Sequence, residues 1–283
     1  MFLFDQVTIM GPGLLGASLG MAFRSHRLVG KIVVWARKKE TLLQCEGKDW
    51  CDQTAYDLEK ALDGSNLIVI CTPVESILSL LPKIIRLTNK NVIITDVGSV
   101  KGIICKTAEI YADIESGRFI GSHPMAGSEK SGMKYANADL FHGKTCIVTP
   151  LANSEKEKIA VLVEFWEKIG MKVFMESYSK HDEIVAYISH LPHVLASSLG
   201  AFLSDFPMDW KKMSGQGLKD TTRIAEGDSE LWCQIIKMNQ SSLNESLGLW
   251  INTIQDFKRH LENGNWEMVK EFLEKGTNFR KEL

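Results

Sequence analysis

The run Val7-Thr8-Ile9-Met10 passes straight into Gly11-Pro12-Gly13-Leu14-Leu15-Gly16, and this junction constrains the fold more than any other stretch of the chain. A Gly-x-Gly-x-x-Gly alone is a weak signal. Here it follows a β-rich run and opens a helical pattern, which is the context a dinucleotide-binding turn needs. Gly11 permits a tight turn, Gly13 lets backbone approach a pyrophosphate, and Gly16 lets helix and strand pack closely. Leu14 and Leu15 begin the helix whose N-terminus faces the phosphates.

Strand-like apolar runs recur at 32–35, 67–71, 92–95, 119–121 and 145–148, with helical patterns between them. Such runs predict a mostly parallel sheet covered on both faces. Residues 154–170 read as a further helix with Ser154 as its cap, and 172–175 as a last strand. Beyond residue 178 the character changes: apolar residues recur at helical spacing through 183–205, 229–262 and 266–281. The expectation is a dinucleotide-binding domain over 1–178 and an all-helical domain over 179–283. Around Leu247-Gly248-Leu249-Trp250-Ile251 the helix is apolar on more than one side. Roughly 100 helical residues make a thin core, so a homodimer built on this half is expected.

A formal net charge of −2 over 283 residues gives no reason to expect a nucleic-acid or membrane partner. No basic-then-apolar leader and no bilayer-length apolar run are evident, so a cytoplasmic protein is expected. The cysteines (45, 51, 71, 105, 146 and 233) are scattered, without Cys-x-x-Cys; Cys71 and Cys146 lie inside apolar runs as small hydrophobes.

Nicotinamide choice is read at the end of the second strand, where an acid would hydrogen-bond the ribose 2′-hydroxyl of NAD. The chain has Val34-Trp35-Ala36-Arg37-Lys38-Lys39 there, and these cations suit the 2′-phosphate of NADP; with Glu40 alongside, NAD remains the alternative. Thr72-Pro73 and the segment Asp96-Val97-Gly98-Ser99-Val100-Lys101 add polar groups at further strand ends, the edge where open α/β sheets bind ligands.

The loop Gly121-Ser122-His123-Pro124-Met125-Ala126-Gly127-Ser128-Glu129-Lys130-Ser131-Gly132 is rich in chemistry, and its histidine belongs beside the nicotinamide pocket. In the helical half, Ser189-His190-Leu191-Pro192-His193 places two histidines three apart, with no third ligand to suggest a metal. Lys219-Asp220-Thr221-Thr222-Arg223 adds a cationic cluster, and an arginine fork suits a carboxylate.

Five of these motifs, the Gly11 loop, the Asp96 to Lys101 segment, the Gly121 to Gly132 loop, the Ser189 to His193 helix and the Lys219 to Arg223 cluster, in this order over nearly the whole chain, resemble the prephenate and arogenate dehydrogenase family of tyrosine biosynthesis. The resemblance implies an α/β Rossmann-like doubly wound sheet followed by an all-helical dimerisation domain. It implies oxidative decarboxylation of prephenate to 4-hydroxyphenylpyruvate with hydride transfer to NAD(P), or the matching reaction of arogenate to tyrosine. It makes His123 the catalytic base and Ser99 the serine that orients it. His193 becomes the second histidine of the substrate pocket, with His190 beside it, and Arg223 the grip on the ring carboxylate. Glu129, Lys219 and Asp220 become polar groups of the cleft mouth, Asp182 a buried acid, and Trp232 an aromatic near the pocket. The missing acid after the second strand departs from the NAD-using pattern, and no regulatory extension is evident after Leu283. Two rivals are a β-hydroxyacid dehydrogenase or imine reductase, which would leave the 121–132 loop unexplained, and a dinucleotide-sensing module, which would leave His123, His193 and Arg223 without joint purpose.

Overall fold

The structure, a computed structural model, describes residues 2–111, 117–127 and 130–283. The sheet half runs β1 (Phe4–Met10), α1 (Leu14–Ser25), β2 (Val29–Trp35), α2 (Lys39–Leu43), β3 (Gln53–Ala55), α3 (Leu58–Leu62), β4 (Leu67–Ile70), α4 (Val74–Leu87), β5 (Ile93–Asp96) and α5 (Gly102–Tyr111). It continues with β6 (Ile120–Pro124), β7 (Thr145–Pro150), α6 (Lys156–Lys168) and β8 (Lys172–Met175). The first five strands form a parallel sheet in the order β3-β2-β1-β4-β5, so the chain reverses its direction of travel at β1 and leaves a crevice there between β1 and β4.

Alternation along the strands explains why they are apolar throughout. Val7, Ile9, Val34 and Val69 face α1 and α6, where Phe23, Phe165 and Trp166 pack; Met10, Ile68, Ile70 and Ile94 face Ile77, Leu81 and Ile84 of α4 and Ile104 of α5. Both faces are buried, as crossover helices require.

Three local expectations are corrected. The sheet is not one parallel layer: β6, β7 and β8 form a separate three-stranded sheet in which β6 and β7 are antiparallel. Among the described residues, the isolated bridge from Ile94 to Phe119 joins it to the first sheet. Strand β3 had no signal, because Gln53-Thr54-Ala55 is short and polar at an edge. Ser154 does not cap α6; Glu155 holds the cap position without a side-chain bond, while the Ser154 hydroxyl accepts from Leu151 N at 2.9 Å and donates to Phe119 O at 3.3 Å. Cys71 ends up just past β4, and all six cysteines are free thiols.

The second half is helical: α7 (Tyr178–Val185), α8 (Leu191–Ser204), α9 (Met208–Lys212), α10 (Gln216–Thr222), α11 (Ser229–Met238), α12 (Gln240–Glu262) and α13 (Trp266–Glu282). The fold is thus a Rossmann-like sheet followed by helices. A π-helical turn, Ala186–His190, joins α7 to α8, and Leu191 N closes it on Ala186 O. Pro192 follows at the start of α8. It cannot donate to the carbonyl four residues back, and the helix widens ahead of it. Tyr178–Ser204 forms a continuous 27-residue helical run with a mean hydropathy of 1.2 over its most apolar window, long enough to cross a bilayer. It is here partly packed inside the protein: Val185, Ala186, Leu191 and Ala196 are buried, as are His181, His190 and His193. Ring packing of Phe257 on Phe272, 4.9 Å between centroids, holds α13 to α12, while Leu249, Ile251, Ile254, Leu261, Trp266 and Leu273 stay exposed.

Candidate active site

The turn after β1 has the geometry a dinucleotide needs. Gly11 has φ +90, a conformation that L side chains rarely adopt, and a Cβ on it would lie 2.8 Å from Thr72 Cγ2. A Cβ on Gly16 would lie 2.3 Å from Gly11 O, so helix and turn touch there. Gly13, the N-cap of α1, faces open space: nothing lies within 4 Å of its Cβ position. That space is part of a cavity of about 720 Å³ lined by Gly11, Gly13, Arg37, Lys38, Thr72 and Pro73 among others. Leu14 and Leu15 begin α1 just after Gly13 and are not among the residues that line the cavity.

Part of the cavity's lining is cationic and hydroxylic. Arg37 and Lys38 come from the end of β2, and Ser76, Ser79 and Lys83 from α4 across the cleft. Lys39 turns away, its ammonium 5.3 Å from the centre of the Tyr56 ring. The Thr72 hydroxyl is buried without a hydrogen-bond partner among the described residues, a group that a bound ligand would satisfy. These residues fit a pyridine dinucleotide. Lys83 and Ser79 carried no sequence signal, since on α4 they read as an ordinary polar face.

Gly132 and Met133, from the loop that follows His123, close one wall of the same cavity. His123 itself stands on β6 opposite Ile147 and is 6% exposed. Its strand is anchored beneath: Ser122 Oγ accepts from Thr95 Oγ1 at 2.9 Å and from Trp166 Nε1 at 3.1 Å. His123 Nδ1 lies 2.8 Å from His181 Nε2, and His181 Nδ1 lies 2.8 Å from Asp182 Oδ1. Asp182 in turn accepts from Lys101 N at 2.7 Å and Gly102 N at 2.8 Å. A carboxylate from α7 thus caps α5 in the other half of the molecule. The Lys101 side chain is fully buried and paired with Asp96, which also accepts from Gly98 N at 2.8 Å.

Burial pushes the His123 imidazolium well below its ordinary range, with His181, Lys101 and His190 adding repulsion. His181 is lowered too, by burial above all, although Asp182 opposes the shift. For Asp182 burial works upward, but the bonds from His181, Lys101 N and Gly102 N outweigh it and hold the carboxyl below its usual value.

A second cluster lies alongside. Asn239 Nδ2 donates to Asp182 O at 2.7 Å and lies 3.2 Å from His190 Nδ1. With both its protons so placed, Asn239 makes His190 Nδ1 an acceptor, and the proton of a neutral His190 sits on Nε2. That Nε2 is buried and has no partner among the described residues; His193 Nδ1 is in the same condition. His193 stacks on Trp232 at 3.5 Å between centroids, and Gly227 makes room for the pair: a Cβ there would lie 2.7 Å from Trp232 Nε1. Burial lowers His190 to about 4.

The remaining candidates are less gathered. Ser99 is half-buried in the loop after β5, near Lys101 in sequence. Lys219, Asp220 and Arg223 are exposed on and just after α10, and Asp220 accepts from Gln216 Nε2 at 2.7 Å. Glu129 lies outside the described residues. Neither His181 nor Asn239 stood out in the sequence; a His-Asp pair in a helix carries no sign of a partner 58 residues away.

Two sequence profiles cover most of the chain: one described as prephenate dehydrogenase, nucleotide-binding domain, matches residues 19–175, and one described as prephenate dehydrogenase, dimerization domain, matches 177–275. The chain belongs to the prephenate dehydrogenase family. Cyclohexadienyl dehydrogenase of Zymomonas mobilis is 26% identical over 99% of this chain and 96% of its own length. Prephenate dehydrogenase of Lactococcus lactis is 28% identical over 98% of this chain and 77% of its own. The crystal structure of prephenate dehydrogenase from Aquifex aeolicus in complex with hydroxyphenyl propionate and NAD+ superposes with a TM-score of 0.92 at 28% identity, covering 98% of each chain. Arogenate dehydrogenase of Synechocystis superposes at 0.84, also 28% identical, covering 98% of this chain and 99% of that one. Family membership accounts for a dehydrogenase with a nucleotide-binding sheet domain.

Proposed function

We propose that this member of the prephenate dehydrogenase family is a homodimeric enzyme that oxidatively decarboxylates prephenate to 4-hydroxyphenylpyruvate, using NADP in preference to NAD. The observation that carries the reading is His123: a buried, neutral imidazole with Nδ1 engaged by His181, on the strand whose following loop walls the nucleotide cavity. When bound, the nicotinamide accepts the hydride that leaves ring carbon C4. His123 Nε2 takes the proton of the 4-hydroxyl as that oxygen becomes a carbonyl, which lowers the barrier to hydride loss. The bond to the ring carboxylate then breaks, its electron pair enters the ring as CO2 departs, and the phenolate oxygen recovers the proton from His123. Atoms and charge balance with no net proton released.

Ser99 is assigned to orienting His123 and the nicotinamide, and Arg223 to the ring carboxylate, held firmly enough to bind but not so firmly that decarboxylation stalls. Lys219, Asp220 and Glu129 are assigned to the cleft mouth. The buried Nε2 of His190 favours prephenate over arogenate. The Nε2–H of a neutral His190 can donate to a keto or carboxylate oxygen but would repel an ammonium, and the nearby carboxylate, Asp182, is already committed to His181, Lys101 N and Gly102 N. Arg37, Lys38 and Lys83, all in the cavity's lining, favour a 2′-phosphate.

The direct test is reduction of NAD and of NADP with prephenate and with arogenate, four mixtures in all. Turnover is expected with prephenate, faster with NADP, and His123→Asn should lower kcat by about 10²- to 10⁴-fold. Silence in all four mixtures, from protein that binds NADP, overturns the reading. Arg37→Ala should raise KM for NADP about tenfold, the worth of one charge-assisted hydrogen bond, while KM for NAD stays put. Equal changes for the two nucleotides would remove the 2′-phosphate argument.

A further inference from the structure

The chain from Asp182 through His181 to His123 has a direction that chemistry dictates. Asp182 accepts two backbone N–H bonds and is held ionised, so it has no proton to give. The bond of 2.8 Å between Asp182 Oδ1 and His181 Nδ1 therefore uses a proton on His181 Nδ1. A neutral imidazole carries one N–H, and burial keeps His181 neutral, so His181 Nε2 is a bare acceptor. At 2.8 Å from it, His123 Nδ1 must be the donor. Neutral His123 then has its proton on Nδ1 and its lone pair on Nε2.

We propose that His181 and Asp182 are positioning residues that lock His123 in its Nδ1–H tautomer, so that Nε2 is always the bare nitrogen presented to the substrate hydroxyl. The inference rests on the role of His123 proposed above and deepens it. Neither residue touches the reacting atoms. Without the lock an imidazole distributes its proton over both nitrogens, and the Nε2–H form cannot take a proton there. When His123 does take the substrate proton, its Nδ1–H goes on donating to His181 Nε2 and the Asp182 charge lies two links behind it, compensating the transient cation; the proton then returns to the product oxygen. The same logic governs hydrolytic triads, where a buried carboxylate fixes the tautomer of the base.

A purely structural account exists: Asp182 caps α5, and His181 fills space between the halves. Tautomer measurement separates the two. The dimer, with ¹⁵N-labelled histidine and bound NADP, is observed by long-range proton–nitrogen correlation at neutral pH, and His123 is assigned from the His123→Asn spectrum. His123 is expected neutral and protonated on Nδ1. In His181→Phe, which keeps the ring volume and removes both nitrogens, the Nε2–H form should become the major one. There kcat should fall about 10²-fold, with Kd for NADP unchanged. Wild-type His123 protonated on Nε2 overturns the proposal, and that spectrum decides the matter even if the variant does not fold. A kcat within twofold of wild type, or a lowered kcat with the Nδ1–H form intact, overturns it as well, since His181 would then act by packing alone. Silence of the wild type with either substrate would defeat the proposed reaction, while the spectrum would still report whether the lock exists.

Discussion

Four imidazoles, those of His123, His181, His190 and His193, are held below the ordinary value of 6.5, with burial the leading cause in each. A group whose folded pKa lies below its unfolded one contributes full stability above the unfolded value and loses it as pH falls toward the folded one. For His190, with a folded value of about 4, the loss between pH 6.5 and 4 is on the order of 3 kcal/mol. The urea midpoint should therefore drop steadily from pH 7 to 4.5. A flat midpoint over that interval would mean these rings are solvated or already charged. At this scale the sequence was legible wherever function is written into local backbone: Gly11 and Gly16 stand where a side chain does not fit, and both can be read from spacing alone. His181 was illegible for the opposite reason. Its meaning comes from a contact made only when α7 packs on the far end of β6.

Among elements, the long apolar strands were visible because each is buried on both faces, which leaves a continuous signal. Strand β3 is three residues at a sheet edge and owes its existence to Val33, Val34 and Trp35 alongside it, not to any propensity of its own. The antiparallel turn of β6 onto β7 was hidden as well. Apolar runs report burial, not direction, and the long connection between these strands looks no different from a crossover. The π turn at Ala186–His190 is the element-scale counterpart of Pro192: a proline inside an apolar helical pattern was plain to see, but whether the helix would break or widen is decided by the packing around it.

For the whole molecule, the decisive feature is apolar surface that one chain leaves bare. Leu249, Ile251, Ile254 and Leu261 on α12 and Trp266, Leu273 and Phe279 on α13 are each 38% or more exposed, a density that monomers rarely tolerate. Covering these helices with a second copy is the proposed resolution. Ile254→Lys combined with Leu249→Lys should shift the sedimenting species from dimer to monomer, and a wild type that sediments as a monomer at micromolar concentration would refute it.

The contact of Asp182 with the start of α5 has a consequence for modularity. Chains of this kind look like two interchangeable cassettes, one for the nucleotide and one for association. The carboxylate that completes the nucleotide cassette's own helix is nevertheless encoded in the other, next to the histidine that touches His123. A recombinant that joins this sheet half to a foreign helical half inherits the pyrophosphate turn intact. Unless the newcomer brings a His-Asp pair to the same spot, it inherits a helix without its cap and a His123 without its partner.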